Sequence, residues 1–239
     1  MQNKLYKTIS PWFPCHILDA ESDIILENPN GKIIKKNYVG KNIENYDSIL
    51  ILSHFKGHQM GGFGGAIKQL SIGVASTAGK CYIHSAGKVV DQNILWQNTA
   101  KQDDFLESMA DAAKSITDYF NGNIAYVNIM KNMSVDCDCC AVAEDPCMKD
   151  IGILSSTDPV ALDKACVDLV YNSNDEGKNH FIERVEKYLE RAIWNVLHNA
   201  IEYNHLDGFI KITIDSTRLI IENSGVQIQE DEFPHIFDM

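Results

Sequence analysis

Ser48-Ile-Leu-Ile-Leu-Ser53 runs directly into His54-Phe-Lys-Gly-His58-Gln-Met-Gly-Gly-Phe-Gly-Gly65, and then into Ala66-Ile-Lys-Gln-Leu70. The aliphatic run reads as a buried strand, the glycines as a loop, and the last segment as the start of a helix. A strand that opens through glycines into a helix is the first unit of an α/β fold. Upstream, short strand-like runs at Ile24 to Leu26 and Lys32 to Ile34 flank Asn28-Pro-Asn-Gly31, a strong turn signal. Downstream, Phe105, Met109, Ala112, Ala113, Ile116 and Phe120 recur at helical spacing. Asp104 with Glu107 forms a capping-box-like start to that helix, and Asn121-Gly122 stops it. Ile124 to Met130 and Ile151 to Leu154 read as strands, and Asp158-Pro159 as an N-cap and first turn for a helix to about Tyr171. Strands alternating with helices define the expected fold class, α/β.

Asn172 to Lys178 is polar and turn-rich, and places a boundary near residue 180. Beyond it, His180 to Asn204 reads as one long amphipathic helix. Phe209 to Ile214 and Leu219 to Ile221 follow as a hairpin around Asp215 to Thr217. Two units are therefore expected, 1–180 and 181–239.

The chain of 239 residues has a net charge of −12, which argues against a nucleic-acid binder and against docking on anionic membrane. No apolar run reaches the roughly 20 residues that span a bilayer. Met1 to Lys7 has no apolar core like that of a signal peptide. Seven cysteines, an odd number without a secretion signal, favour a reducing cytoplasm over a disulfide knot.

Cys137, Cys139, Cys140 and Cys147 crowd into one loop. Converging thiolates bind soft or borderline metals through charge and polarisable sulfur. These four make a candidate ligand set for an iron–sulfur cluster or zinc, although the spacing is neither a zinc-ribbon pair nor a ferredoxin run. Thiol redox chemistry and a metal-free surface loop stay open beside it. Cys166 lies on an apolar helix face and reads as a small buried hydrophobe, whereas Cys15 and Cys81 are undecided. In the glycine-rich stretch, His54, Lys56, His58, Gly61, Gly62, Gly64 and Gly65 form a candidate anion or substrate pocket. Glycines expose backbone N–H groups there, Lys56 and Lys68 add charge, and histidines can ligate metal or move protons. His84, on a strand-like segment from Gly79 to Lys88, is either a further pocket residue or a hydrogen-bonded core histidine.

The stretches HFKGHQMGGFGGAIKQLSIGVAS, GKCYIHSAGK, QDDFLESMADAA, SVDCDC and DPCMKDIGILSSTDPVALDKACVDLVYNS resemble the family called domain of unknown function 362 over about residues 10–185. Its members are often described as uncharacterised iron–sulfur-centre proteins. The resemblance implies an α/β fold, an iron–sulfur or related metal centre, a role in electron transfer, and a redox partner protein. It implies no named reaction. The family pattern has more chain ahead of the SILILS strand, so the first domain is expected to be incomplete at its N-terminus.

Ala192-Ile-Trp-Asn195-Val-Leu-His-Asn199-Ala-Ile-Glu-Tyr-Asn204 resembles the N-box of the GHKL ATPase domain of histidine kinases, and Ile221-Glu-Asn223-Ser-Gly225-Val-Gln-Ile228 resembles its next box. The resemblance implies ATP with Mg²⁺ at Asn195, Asn199, Asn223 and Gly225. Asn223 stands where that family has the adenine-reading aspartate, and Gln227 where it has a second glycine. Three readings remain: a metal or iron–sulfur redox protein, an ATP-binding signalling fragment, and a non-functional fusion of two partial domains.

Overall fold

The structure is a computed structural model, and it describes residues 16–140, 142–186, 208–214 and 219–224. Asp23–Glu27 (β1) and Lys36–Gly40 (β2) pair antiparallel around the Asn-Pro-Asn-Gly turn, with Ile25 opposite Tyr38. The expected strand at Lys32 to Ile34 does not form. Its backbone N–H groups are taken instead by one carboxylate: Asp111 accepts from Lys32, Ile33 and Ile34 at 2.9, 2.7 and 2.9 Å. Those donors are therefore not offered to a sheet ladder.

The SILILS run forms Ile49–His54 (β3). The glycine-rich segment that follows is not an open loop, because Lys56–His58 (β4) and Gly62–Gly64 (β5) pair as a tight antiparallel hairpin. Ala66–Lys68 (α1) then leads into a wide helical turn, Gln69–Gly73. Thr77–His84 (α2) is a helix where a strand-like segment was expected, with Ser76 as its N-cap accepting from the Gly79 N–H at 3.2 Å. Gln102–Tyr119 (α3) carries the expected apolar face, with Phe105, Ala112 and Ile116 fully buried. Its N-cap is Lys101, without a side-chain cap. Asp104 lies inside the first turn, so the capping box does not form and Asp103 and Asp104 act on the helix dipole instead. Asn121 and Gly122 end the helix with φ of 50° and 78°.

Ile124–Met130 (β6) pairs parallel with β3, and Gly152–Ser156 (β7) pairs antiparallel with β6, giving the order β3-β6-β7. Asp158 caps Pro159–Tyr171 (α4) by accepting from the Val160 and Ala161 N–H groups at 2.8 and 3.0 Å. A further helix (α5) covers residues 178–186 and buries Phe181, whose ring stacks on Phe55 at 5.9 Å. Together these elements make a mixed α/β fold.

Ile51, Phe55, Leu70, Ile116, Tyr126, Met130, Leu162 and Phe181 share the main core. The β3 strand is not buried on both faces, as its aliphatic run suggests. Alternation turns Ile51 and Ser53 inward and leaves Leu50 and Leu52 each 56% exposed, because the described helices cover one side of the sheet. Cys166 is fully buried, as its helix face implies.

Ile210–Ile214 (β8) and Leu219–Asn223 (β9) form the expected antiparallel hairpin, with Ile212 opposite Ile221. The expected turn at Asp215 to Thr217 and most of the expected long helix lie outside the described residues. No helix among the described residues is long and apolar enough to cross a membrane.

Candidate functional site

The β4–β5 hairpin leaves the end of the sheet and lies against the cysteine loop. Phe55 N–H donates to the Ile129 carbonyl at 3.0 Å and Gly57 N–H to the Ser134 carbonyl at 2.8 Å. Strand alternation puts Lys56 and His58 on one side and Gly57 on the other. At Gly57 only glycine fits, since a Cβ would run into the Val135 backbone. This glycine admits the cysteine loop rather than a ligand. Gly65 likewise leaves room for a neighbour, the Asp163 carboxylate.

The loop folds on itself through short contacts. The Cys140 N–H donates to the Cys137 carbonyl at 2.9 Å, and the Cys139 N–H reaches the Cys137 sulfur at 3.4 Å. The result joins residues that lie far apart in the chain: ligand atoms of His58, Cys137 and Cys139 all stand within 4.8 Å of one another. His58 and Cys137 are buried and Cys139 is exposed. Cys140 and Cys147 are not in this group. Cys147 is tied to Met133, its N–H donating to the Met133 carbonyl at 2.9 Å and its thiol at 3.4 Å. All the cysteines among the described residues are free thiols.

Cations surround the group. Lys68 Nζ stands 3.8 Å from the Cys137 sulfur. Lys56 pairs with Asp138 at 2.6 Å, and Arg184 of α5 with Asp136 at 3.5 Å. Asp136 also accepts from Gln59 at 3.4 Å and from the Glu144 N–H at 3.2 Å, tying hairpin, loop and α5 together. Both ring nitrogens of His54 face acceptors, Asp138 at 3.1 Å and the Lys131 carbonyl at 2.8 Å.

These surroundings set the protonation states. Burial, followed by the charges of Lys68, His84, Lys56 and Arg184, lowers His58 to about 3, so the imidazole is neutral at physiological pH. Burial alone would raise Asp138, but hydrogen bonds from Lys56 and His54 outweigh it and hold the carboxyl below its usual range. Although the residue is exposed, partial desolvation of its sulfur within the loop, with the hydrogen bond and charge of Cys137, pushes the Cys139 thiol up to about 11. Burial also raises Cys147. A metal-free site therefore keeps the Cys139 proton, and a metal would have to displace it.

The two histidines hold opposite tautomers. His58 Nδ1 accepts from the Met60 and Gly61 N–H groups at 3.1 and 2.9 Å, which puts its ring hydrogen on Nε2. His84 Nδ1 donates to the Lys80 carbonyl at 2.7 Å, and its ring packs 4.9 Å from that of Phe105. His84 is thus a hydrogen-bonded core histidine outside the sulfur group.

Asp163 of α4 holds the backbone just before Lys68. Buried, it accepts from the Ala66 and Ile67 N–H groups at 2.7 and 3.0 Å and from Asn128 at 2.7 Å. It thereby anchors the start of α1. Burial raises its carboxyl despite those donors.

Of the pocket residues named from sequence, Lys56 and His58 line one side of β4, with Gly61 in the turn and Gly62 and Gly64 in β5. Sequence reasoning kept His58 apart from the cysteines and overlooked Asp163 and Arg184, although it counted Asp136, Asp138, Glu144 and Asp145 as acidic residues crowding the cysteine loop and favouring cations. The period-two spacing of Lys56 and His58 was a usable signal for the first of these omissions. Asn195, Asn199 and Gly225 lie outside the described residues, and Asn223 ends β9 opposite Ile210.

Two families match the chain. The model for Histidine kinase-, DNA gyrase B-, and HSP90-like ATPase matches residues 184–239. That for Domain of unknown function (DUF362) matches residues 2–168. No curated protein and no solved structure matches it. A match over more than half the chain, on the same residues that build the α/β core and the cysteine loop, shows that the chain belongs to the DUF362 family.

Proposed function

We propose that this protein binds a transition metal through Cys137, Cys139 and His58 and serves a redox or electron-transfer reaction in a reducing, cytoplasmic setting. The observation that carries the reading is the convergence of two sulfurs and an imidazole within 4.8 Å. An iron–sulfur cluster takes about four thiolates, and Cys140 and Cys147 would have to move to complete one. Two thiolates and one imidazole suit a single divalent ion with one position left for a substrate; iron there would serve the redox reaction, whereas zinc, which is redox-inert, would act only as a Lewis acid. An ion held this way supplies Lewis acidity at that position.

The chain's own part is to present the donors. Loss of two thiol protons gives the sulfurs their charge. His58 is already neutral, and a metal held through Nε2 would require its ring hydrogen to pass to Nδ1. That requires the Met60 and Gly61 N–H groups to turn away from Nδ1.

Anaerobic purification followed by elemental analysis tests the reading. About one equivalent of metal is expected, lost in Cys137→Ser and Cys139→Ser and retained in Cys147→Ser. Metal that survives both of the first two substitutions, or a protein that takes up none, overturns it. Loss of two hydrogens by intact mass, without metal, would assign the pair to thiol redox chemistry.

The match over residues 184–239 favours a second activity, ATP binding at Asn195, Asn199, Asn223 and Gly225. Mg²⁺-dependent thermal stabilisation by ATP, abolished in Asn199→Ala, is the expected signature. An unchanged melting temperature with ATP counts against it.

A further inference from the structure

We infer that the metal site is built for a small carboxylate-type anion, held by the Lys68 ammonium beside Cys137. This rests on the metal-binding reading above and adds the class of ligand. Lys68 Nζ lies 3.8 Å from the Cys137 sulfur, which sets this ammonium beside one of the metal's donors and within reach of a ligand bound on that side.

Pairing separates Lys68 from its neighbours. Lys56 is neutralised by Asp138 at 2.6 Å and Arg184 by Asp136 at 3.5 Å. Among the described residues, no carboxylate stands within ion-pair distance of Lys68. Two thiolates cancel the charge of a divalent ion, and each of the two ion pairs sums to zero. The single charge of Lys68 remains, in a partly buried place where an unneutralised ammonium is costly. A monoanion at the remaining coordination position removes that charge, whereas a second cation would be repelled.

A Cβ at Gly64 would make ordinary van der Waals contact with Lys68 Cδ at 3.5 Å and stand 3.9 Å from Lys56 Nζ, so the hairpin backbone runs close beside both lysines. The wide turn Gln69–Gly73 follows Lys68 directly, and Asp163 holds the N–H groups of Ala66 and Ile67 just before it. The ammonium is therefore carried on a backbone pinned at its start.

Cobalt(II) is the probe, because its visible absorption reports changes in its ligands. The full chain is loaded with Co²⁺ and titrated with acetate, using neutral acetamide as the control. Acetate should change the spectrum saturably and acetamide should not. Lys68→Met should bind Co²⁺ with unchanged stoichiometry and weaken acetate about tenfold or more, while Lys68→Arg stays within about threefold of the parent. Equal acetate affinity in the parent and Lys68→Met overturns the inference, as does an equal response to acetamide. Failure of the parent chain to take up Co²⁺ overturns the metal reading itself, a distinct result.

Discussion

Replacing Asp163 tests whether one buried carboxylate holds the site together. Its Oδ1 accepts from the Ala66 N–H and the Asn128 amide, each at 2.7 Å, and its Oδ2 from the Ile67 N–H at 3.0 Å. Asparagine keeps the shape and one oxygen. Its amide nitrogen would face a backbone donor, so at least one hydrogen bond to a charged acceptor is lost, worth about 1.5–3 kcal/mol. Relief from burying a charge offsets part of that loss. The expected net cost is about 2 kcal/mol for Asp163→Asn. For Asp163→Ala it is about 4 kcal/mol, because both N–H groups and the Asn128 amide lose their acceptor. With a urea m-value of about 2 kcal/mol per M, the midpoints fall by about 1 M and 2 M. Circular dichroism during urea unfolding measures both. Lys68 follows Ile67 directly, so Asp163→Asn should also weaken acetate binding to the Co²⁺-loaded protein while cobalt uptake persists. Midpoint shifts below about 0.25 M for both variants, or an asparagine variant less stable than the alanine one, would refute the reasoning.

Gly57→Ala should push the hairpin off the Val135 backbone, destabilise the chain by several kcal/mol and abolish metal uptake; normal metal content in this variant counts against the close approach. Asp111→Ala should cost about 3–5 kcal/mol in urea unfolding, since three N–H groups of residues 32–34 lose their acceptor, and should leave metal binding intact. His84 is held below its ordinary value by burial, which outweighs the Lys80 carbonyl bond and is reinforced by the charges of Lys68 and Lys80. The unfolded chain therefore takes up its proton first as pH falls below about 6.5, and stability drops with acid. His84→Gln should flatten, but not remove, the decline in urea midpoint between pH 7 and pH 5, because buried His58 acts in the same direction. An unchanged slope in His84→Gln would exclude this role.

Features set by neighbours in the chain were legible before any coordinates. The SILILS strand, the apolar face of α3, the Asn121-Gly122 stop and the Asp158 cap each depend on residues a few positions apart. Hydrophobic period, left-handed turns and side-chain caps are encoded at that range. Residues 32–34 show where such reading ends. Their local pattern suits a strand, but their donors are claimed by Asp111, more than seventy positions away. The glycine-rich stretch likewise reads as a loop until its antiparallel partner strand is known.

The sequence by itself determined that this is an α/β chain with a cysteine-rich loop, a glycine-rich segment and an ATPase-like tail. Only the tertiary structure decided which sulfurs meet which nitrogen. Loop closure brings Cys137 and Cys139 to His58 and leaves Cys147 on Met133, a choice that spacing along the chain does not encode. Charge behaves in the same way. Composition shows an excess of carboxylates, yet folding pairs Lys56 and Arg184 with two of them and leaves Lys68 beside sulfur. Electrostatic interactions depend on distance through space, and the fold sets that distance.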